Sequence, residues 1–261
     1  MKTDTLSKDT IVSNVIRQMN SGLEIEPITI PKALTSAAHI LFMLGHTTES
    51  GLAGQVSARG EDPDTYWTQQ WGTGFEEVTE NNLLLVDGDL TVLKGKGMAN
   101  PAARFHSWIY RNHPDVKCIL HAHPLNVSAL SMLEIPLVVS HMDTCVLHDE
   151  VAFVEKWPGI PVGNGEGKLI SAALANKKTI LLAHHGMLVT GGSVEEACVL
   201  AVMFERAAKL QLMALASGDI KPIPHDLAAE ARDWISTPQR HRATFAYYSR
   251  LAEREIKKLM H

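Results

Sequence analysis

Two groups of histidines, each following a short apolar segment, are the residues of this chain best suited to chemistry. His121 and His123 follow segment 116–120, and His184 and His185 follow segment 179–183. Both segments are rich in aliphatic and β-branched residues and predict short buried strands. Side chains two residues apart on a strand share a face, so His121 and His123 should point together. With His185 from a neighbouring strand, they would form a three-nitrogen site for a divalent metal with an open coordination position, as catalytic zinc requires.

The alternative for each histidine is a hydrogen-bonded place in the core, which is the commoner role of a single histidine at a strand end. Two histidine groups after two apolar segments favour a metal site, and no Cys-x-x-Cys pair competes for the ion. Gly186, next to His185, should let backbone and substrate come close. The pattern does not identify the ion, because three imidazoles also accept iron or manganese.

The composition is that of an ordinary globular protein. The 261 residues suit one large domain or two small ones, with 45% hydrophobic and 20% charged residues. A net charge of −5 argues against non-specific nucleic-acid binding, and no apolar run is long enough to span a membrane. The first nine residues are too polar for a signal peptide. Three isolated cysteines in apolar surroundings, Cys118, Cys145 and Cys198, predict buried reduced thiols, so we expect a cytoplasmic protein.

The order of helix and strand patterns predicts a layered mixture of both. A helical pattern covers 31–44, with proline in its first turn. Region 83–93 predicts a hairpin with Asp87-Gly88 as its turn. Region 227–260 has an amphipathic helical pattern. Because no regular βαβ repeat is present, the order favours an α+β or α/β/α layered domain over a doubly wound parallel sheet.

Six motifs taken together resemble the class II aldolase/adducin family, which includes fuculose-phosphate aldolase and ribulose-phosphate epimerase. They follow one another through residues 30–220, and only their combination is specific. The motifs are Gly54-Gln55-Val56-Ser57-Ala58-Arg59, Trp71-Gly72-Thr73-Gly74-Phe75, the stretch 78–87, His106-Ser107-Trp108-Ile109-Tyr110 with Pro114-Asp115-Val116, His121-Ala122-His123-Pro124, and His185-Gly186.

The resemblance implies an α/β fold, a single three-layer α/β/α domain with a central, largely antiparallel sheet. This domain would comprise residues 31–220. An N-terminal arm (1–30) precedes it, and a C-terminal helical extension (221–261) packs on the same domain or on a neighbouring subunit. Family members often form a four-fold ring with active sites between subunits, which predicts a homotetramer.

The resemblance also implies one divalent metal ion per subunit on His121, His123 and His185, with zinc as the first choice and manganese or iron as alternatives. In such rings a C-terminal residue of the neighbour can reach the active site. Tyr247 or Tyr248 could play this part, and Tyr248 is the catalytic candidate. The alternative is that both tyrosines only pack the C-terminal helix.

Two departures from the family pattern concern the substrate. Sugar-phosphate aldolases carry a Ser-Ser-Glu segment whose serines hold phosphate and whose glutamate transfers a proton. Here residues 100–104 contain no serine and have alanine at the glutamate position, and Gln55 replaces a phosphate-holding asparagine. A phosphorylated substrate is therefore disfavoured, and Arg104 is either a partner for a carboxylate or a solvated helix arginine. The residues expected to contact substrate are Gln55, Ser57, Thr73, Gly74 and Arg104.

These features predict a divalent-metal-dependent carbon–carbon lyase for a small, non-phosphorylated hydroxy, keto or hydroxy-aromatic carboxylic acid. The metal would stabilise the enolate left when the bond breaks. The missing glutamate favours decarboxylation, which needs only an acid, over retro-aldol cleavage, which needs a base. His141, after apolar segment 135–139, is a candidate acid/base, the alternative being a structural hydrogen bond. Alternative functions are a sugar-phosphate aldolase, a non-haem iron oxygenase and a non-catalytic adducin-like binding module.

Overall fold

The computed structural model describes residues 6–22, 24–46, 50–62, 64–157, 159–160 and 162–259 of the chain. The strands are β1 (Gln55–Arg59), β2 (Thr65–Gln69), β3 (Leu83–Asp87), β4 (Val92–Lys94), β5 (Cys118–Ala122), β6 (Val151–Val154), β7 (Thr179–Leu182) and β8 (Gly186–Gly191). The α-helices are α1 (Lys8–Gly22), α2 (Ile30–Met43), α3 (Arg104–Asn112), α4 (Leu125–Ser131), α5 (Asn164–Leu174), α6 (Val194–Leu215), α7 (His225–Ile235) and α8 (Pro238–Leu259). Short 3₁₀ turns lie at Phe75–Glu77, Pro101–Ala103 and Met142–Leu147.

The described strands form one eight-stranded sheet in the order β4-β3-β2-β1-β5-β8-β7-β6. Its neighbouring strands are antiparallel except for the parallel pair β6 and β7. Consecutive hairpins build one half of the sheet, and β5 enters its centre between β1 and β8. The structure therefore confirms the expected α/β domain with a largely antiparallel central sheet.

Alternation along the central strands divides their side chains between two helical layers. Val56 of β1 and Leu120 of β5 lie in a core shared with α2, α4, α6 and α8. Ile119 of β5 lies in a second core, shared with α3 and α5. Because residues two apart on a strand share a face, His121 lies on the α3 side together with Ile119. The three layers thus place β5, the strand that carries His121, in the middle of the molecule.

The hairpin of β3 and β4 forms as predicted, but its turn is longer than Asp87-Gly88. The N–H of Asp87 donates to the carbonyl oxygen of Thr91 at 3.1 Å, so Gly88, Asp89 and Leu90 make the loop. The positive φ falls on Leu90 (68°) and not on the glycine. The Asp87 carboxylate accepts hydrogen bonds from the N–H groups of Asp89 and Thr91, each at 2.9 Å, and these bonds favour the longer loop.

The chain forms a strand, β8, that the apolar pattern did not separate from β7. Residues 183–185 make the turn between them, and His184 adopts a positive φ of 56°. β8 pairs with both β7 and β5, which brings this turn to the end of β5. His184 and His185 therefore diverge because they lie in a turn, and not because side chains alternate along a strand.

The C-terminal region forms two helices, α7 and α8, which are separated just before Pro238. α8 packs against α2 and α6, where it buries Phe245 and Ala252, and α7 contacts the turn Met142–Leu147. None of the described helices is long and apolar enough to cross a membrane. All three cysteines are buried and free.

The division into an arm, a domain and an extension stays a prediction. Residues 1–5 and 23 of the predicted arm, and 260–261 of the predicted extension, lie outside the described residues.

Candidate metal centre

The three predicted histidines converge at one end of the central strands. The ring centroids of His121 and His123 are 4.8 Å apart, those of His121 and His185 are 4.8 Å apart, and those of His123 and His185 are 4.7 Å apart. One possible ligand atom from each ring lies within 4.8 Å of the other two. His121 is buried, whereas His123 and His185 are half-buried, so solvent reaches the cluster from their side.

His121 is fixed in orientation and tautomer by its surroundings. Its Nδ1 lies 2.8 Å from the backbone oxygen of Met187 on β8. Because a carbonyl oxygen can only accept, Nδ1 carries the proton and Nε2 keeps its lone pair. Phe105 of α3 packs edge-on against the same ring, with centroids 5.2 Å apart. A carbonyl that holds one nitrogen of an imidazole while the other faces a shared point is the usual support of a metal ligand.

His185 owes its position to the turn between β7 and β8 and to Gly186. A Cβ added to Gly186 would lie 2.6 Å from the carbonyl oxygen of Ala122 and 2.7 Å from Cδ2 of His123. Because residue 186 is glycine, the start of β8 can lie close to the end of β5 and to the ring of His123. His184 is exposed and outside the cluster, with its Nε2 2.8 Å from Oε1 of Glu134.

The protonation of the cluster suits metal binding. Burial lowers the pKa of His121 well below its ordinary value, and the two neighbouring imidazoles lower it further. Burial also lowers the pKa of His123, and it lowers the pKa of His185 to about 4, with His123 adding to the effect. At neutral pH the three rings are therefore neutral, and each offers a lone pair.

The donor atoms fit a small divalent ion. Nε2 of His121 and Nε2 of His123 are 3.1 Å apart. Two nitrogens bound to zinc at about 2.0–2.1 Å in tetrahedral geometry lie about 3.3–3.4 Å apart. Nδ1 of His185 is buried and has no hydrogen-bond partner within the part of the chain that the structure describes. The described residues bring no carboxylate into the cluster, so three imidazoles would leave coordination positions open.

Two of the predicted substrate residues lie on the strand beside the cluster. Gln55 is paired directly with His121 across β1 and β5, which puts their Cβ atoms about 4.5–5.5 Å apart. Its Oε1 is buried and unpartnered among the described residues. Ser57 is fully buried, and its Oγ lies 2.7 Å from Nδ1 of His106 and 2.9 Å from the hydroxyl of Tyr110. Gln55 thus adjoins the candidate centre, while Ser57 connects β1 to α3.

The remaining predicted substrate residues lie in other segments. Thr73 and Gly74 are half-buried, and the N–H of Gly74 donates to Oε2 of Glu77 at 2.8 Å. Arg104 begins α3 and lines a small cavity of about 210 Å³ together with Asp89. The contacts described for these three residues include no member of the histidine cluster, so their substrate roles stay predictions.

The two predicted proton-transfer residues lie on the α6 side of the sheet. His141 is exposed at the start of the turn Met142–Leu147, and its Nδ1 accepts from the N–H of Asp143 at 3.2 Å. Tyr248 of α8 packs against the core below α6, and burial raises its pKa. Neither residue reaches the cluster through the contacts described within one chain, so both catalytic roles stay predictions.

A buried polar network beside the cluster contains two residues, His106 and Tyr110, that are not among the predicted site residues. His106 is fully buried, and burial lowers its pKa to about 3. Its Nδ1 faces Ser57, and its Nε2 has no partner among the described residues. Tyr110, one helical turn later, shares Ser57. In the sequence, the i,i+4 spacing of these two residues on the helix before β5 predicts that their side chains share one face of that helix.

This combination of a three-layer domain and a three-histidine centre is what the family resemblance implies. The family model described as the Class II Aldolase and Adducin N-terminal domain matches residues 32–212. The chain therefore belongs to the class II aldolase/adducin family.

Individual relatives include enzymes that act on different substrates. A Streptomyces roseochromogenus subsp. oscitans protein named 4-hydroxy-3-prenylphenylpyruvate oxygenase/4-hydroxy-3-prenylbenzoate synthase is 30% identical over 76% of this chain and 76% of its own length. Decarboxylase NovR of Streptomyces niveus is 30% identical over 69% of this chain and 68% of its own. The solved L-fuculose 1-phosphate aldolase from Glaciozyma antarctica PI12 superposes with a TM-score of 0.80 at 26% identity, covering 92% of this chain and 97% of that one. These similarities support class II aldolase-like lyase activity.

Proposed function

We propose that this chain is a divalent-metal-dependent lyase that decarboxylates a small, non-phosphorylated hydroxy-aromatic or keto carboxylic acid. Retro-aldol cleavage of such an acid is the other form of the same chemistry. The observation that carries the proposal is the convergence of three neutral imidazoles, two of them half-buried, with no carboxylate of the described residues among them. Zinc is the first choice of ion, and manganese and iron are the alternatives.

The proposed reaction divides the work between the ion and the chain. A divalent ion on His121, His123 and His185 would supply Lewis-acid polarisation of a substrate oxygen. Decarboxylation breaks the bond between the carboxyl carbon and its neighbour, carbon dioxide leaves, and the electron pair stays with the neighbouring carbon, which then takes a proton. His121, held by Phe105 and the Met187 carbonyl, forms the inner wall of the site. Because His123 and His185 are only half-buried, substrate would enter the site from their side.

The segment that corresponds to the phosphate-binding serines supports a substrate without phosphate. Oδ1 of Asn100 accepts a hydrogen bond from the N–H of Ala102 at 3.0 Å, so this side chain is engaged in capping its own turn. Ala103 is buried, and the helix that follows carries Phe105 onto His121. Arg104 is the cation nearest to this turn in sequence, and we assign it to the substrate carboxylate, which a guanidinium can bind through two hydrogen bonds.

We assign the proton donor of each site to a residue of a neighbouring subunit and not to a residue of the same chain. Within its own chain Tyr248 packs in the α6–α8 layer, away from His121. In the proposed homotetramer it serves the site of a neighbouring subunit, and His141 is the second candidate. Mixed tetramers of the two inactive variants His185→Ala and Tyr248→Phe should recover activity, because some sites would combine an intact cluster with an intact tyrosine. No recovery after verified subunit exchange contradicts this assignment.

Iron-dependent oxidative decarboxylation is a second candidate, because one of the relatives is named as an oxygenase. It ranks second because non-haem iron oxygenases typically use two histidines and one carboxylate, and the described cluster has three histidines and no carboxylate.

The deciding experiment screens metal-loaded protein against hydroxy and keto acids and measures carbon dioxide, aldehyde and oxygen together. Carbon dioxide without oxygen consumption supports decarboxylation, aldehyde or pyruvate supports aldol cleavage, and oxygen uptake supports the oxygenase. His185→Ala should lose both the ion and turnover. His184→Ala is the matched control, because that exposed neighbour pairs with Glu134 and should retain both. Bound metal with no turnover of any acid would contradict the proposal and favour an adducin-like binding module.

A further inference from the structure

A second group of metal-binding side chains lies at the junction of the C-terminal helices with the sheet. His148 follows the turn Met142–Leu147, Asp149 is the next residue, and His225 is the first residue of α7. Oδ2 of Asp149 lies 3.4 Å from Nε2 of His148 and 3.1 Å from Nε2 of His225. The two rings are 4.8 Å apart between centroids. These three donors lie within 4.8 Å of one another and share no residue with the three-histidine cluster.

One of these three possible ligand atoms has no hydrogen bond within the described part of the chain. Nε2 of His148 is buried and has no hydrogen-bond partner among the described residues, although the Asp149 carboxylate is adjacent. The separations of 3.4 and 3.1 Å are close to the edge of about 3.3–3.4 Å between two ligands of a tetrahedral zinc ion. The side chain of His148 is only 12% exposed, whereas that of His225 is 76% exposed. The group is therefore anchored on one side and open to an entering ion on the other.

The nearest basic side chains are engaged with the backbone and not with these donors. Nζ of Lys177 donates to the carbonyl oxygen of Asp149 at 2.6 Å, and a guanidinium nitrogen of Arg232 donates to the carbonyl oxygen of His148 at 3.3 Å. Their charge, and the partial positive charge at the start of α7, still oppose a cation. We therefore expect weaker binding than at the three-histidine cluster, where the described contacts include no lysine or arginine.

We propose that His148, Asp149 and His225 bind a second divalent transition-metal ion. Two imidazoles and one carboxylate suit zinc, cobalt or nickel better than magnesium or calcium. Because the ligands come from the start of α7 and from the segment before β6, the ion would tie the C-terminal helices to the edge of the sheet. An ion that binds only the folded chain stabilises it, so a bound ion would strengthen the attachment of α7. The inference does not depend on which reaction the first site performs.

The test uses a full-length background in which the first cluster is removed, His121→Ala/His123→Ala, with folding verified by circular dichroism. Titration of the chelator-treated protein with zinc should give one bound ion per chain and a rise in Tm. Adding His225→Ala or Asp149→Asn should weaken zinc binding at least about tenfold and abolish the rise in Tm. Asp226→Asn, which removes the exposed carboxylate next to His225, is the matched control and should change neither.

The same question can be asked without disturbing the first cluster. In the otherwise wild-type chain, His225→Ala should lower the zinc content from two ions per chain to one. His225 is exposed, so this substitution should leave the fold intact. A folded background variant that binds no zinc, or zinc binding unchanged by His225→Ala, would show that the group is only a hydrogen-bonded ion pair and would overturn the proposal.

Discussion

Gly186, the first residue of β8, lies directly against the ring of His123. A Cβ at Gly186 would be 2.7 Å from Cδ2 of that ring and 2.6 Å from the carbonyl oxygen of Ala122. A Cβ atom does not come this close to atoms to which it is not bonded, so the turn carrying His185 can meet the end of β5 only if residue 186 has no side chain. The spacing of two candidate metal ligands, His123 and His185, therefore depends on a glycine that itself offers no ligand.

We expect Gly186→Ala to weaken metal binding at least about tenfold while leaving a folded protein. The added methyl group must push His123 or the backbone at Ala122 away, and either shift separates the nitrogens of the cluster. Competition between the protein and a chelator of known affinity would measure the loss.

Gly165→Ala in α5 is the control, because a Cβ there meets no atom of the described residues within 4 Å. An alanine inside a helix should leave metal binding unchanged and stability equal or higher, by up to about 1 kcal/mol. Metal affinity of Gly186→Ala equal to that of the control would show that the cluster tolerates the contact.

Ser57→Ala should lower the free energy of unfolding by about 1–3 kcal/mol. The substitution leaves Nδ1 of His106 and the hydroxyl of Tyr110 without their shared partner in a fully buried site. Urea unfolding measures the change. Ser21→Ala on the exposed α1 is the control and should change stability by no more than about 0.5 kcal/mol.

Much of the architecture and the identity of the three histidines can be predicted from the sequence, because both depend on local patterns. Alternation on a strand fixes the common direction of His121 and His123 whatever surrounds them. Likewise, Pro31 in the first turn marks the start of α2. His185 can be identified as a candidate ligand because it comes after an apolar segment of its own.

The roles of several side chains depend on distant partners and could not be predicted. The face of Ser57 is set by alternation, but its bonds to His106 and Tyr110 exist only because α3 packs there. The turn before β8 closes through contacts with Ala122 and His123 that a continuous apolar pattern does not reveal. Similarly, no local signal indicates that His148 and His225, 77 positions apart, face one carboxylate.

Stability should fall as the pH is lowered from about 6.5 to about 3, in part because of His46. This residue is fully buried, and burial lowers its pKa from 6.5 to about 3. Between these values the unfolded chain binds a proton that folded His46 does not, so stability is present above the unfolded pKa and is lost as the pH falls toward the folded one. The contribution of one such group is about 1.4 kcal/mol per pH unit.

His46→Leu should therefore make the free energy of unfolding less dependent on pH in this interval. The slope against pH should fall by the equivalent of about one bound proton. Urea unfolding of chelator-treated protein at a series of pH values measures it, since metal release then plays no part. Parallel curves for His46→Leu and the wild-type chain would assign the pH dependence to other groups.

Arg104→Gln should raise KM for the carboxylic acid substrate about tenfold or more and lower kcat much less, if the guanidinium binds the carboxylate and takes no part in bond breaking. Arg104→Lys should lie between glutamine and arginine, because an ammonium keeps the charge but loses the two-point geometry. Arg111→Gln, on the same helix, is the matched control. Its guanidinium bonds to the β3–β4 loop at Gly88, so its loss should leave KM unchanged. Steady-state kinetics on metal-loaded protein separates the cases, and a KM for Arg104→Gln equal to that of the control would show that Arg104 is a solvated helix residue.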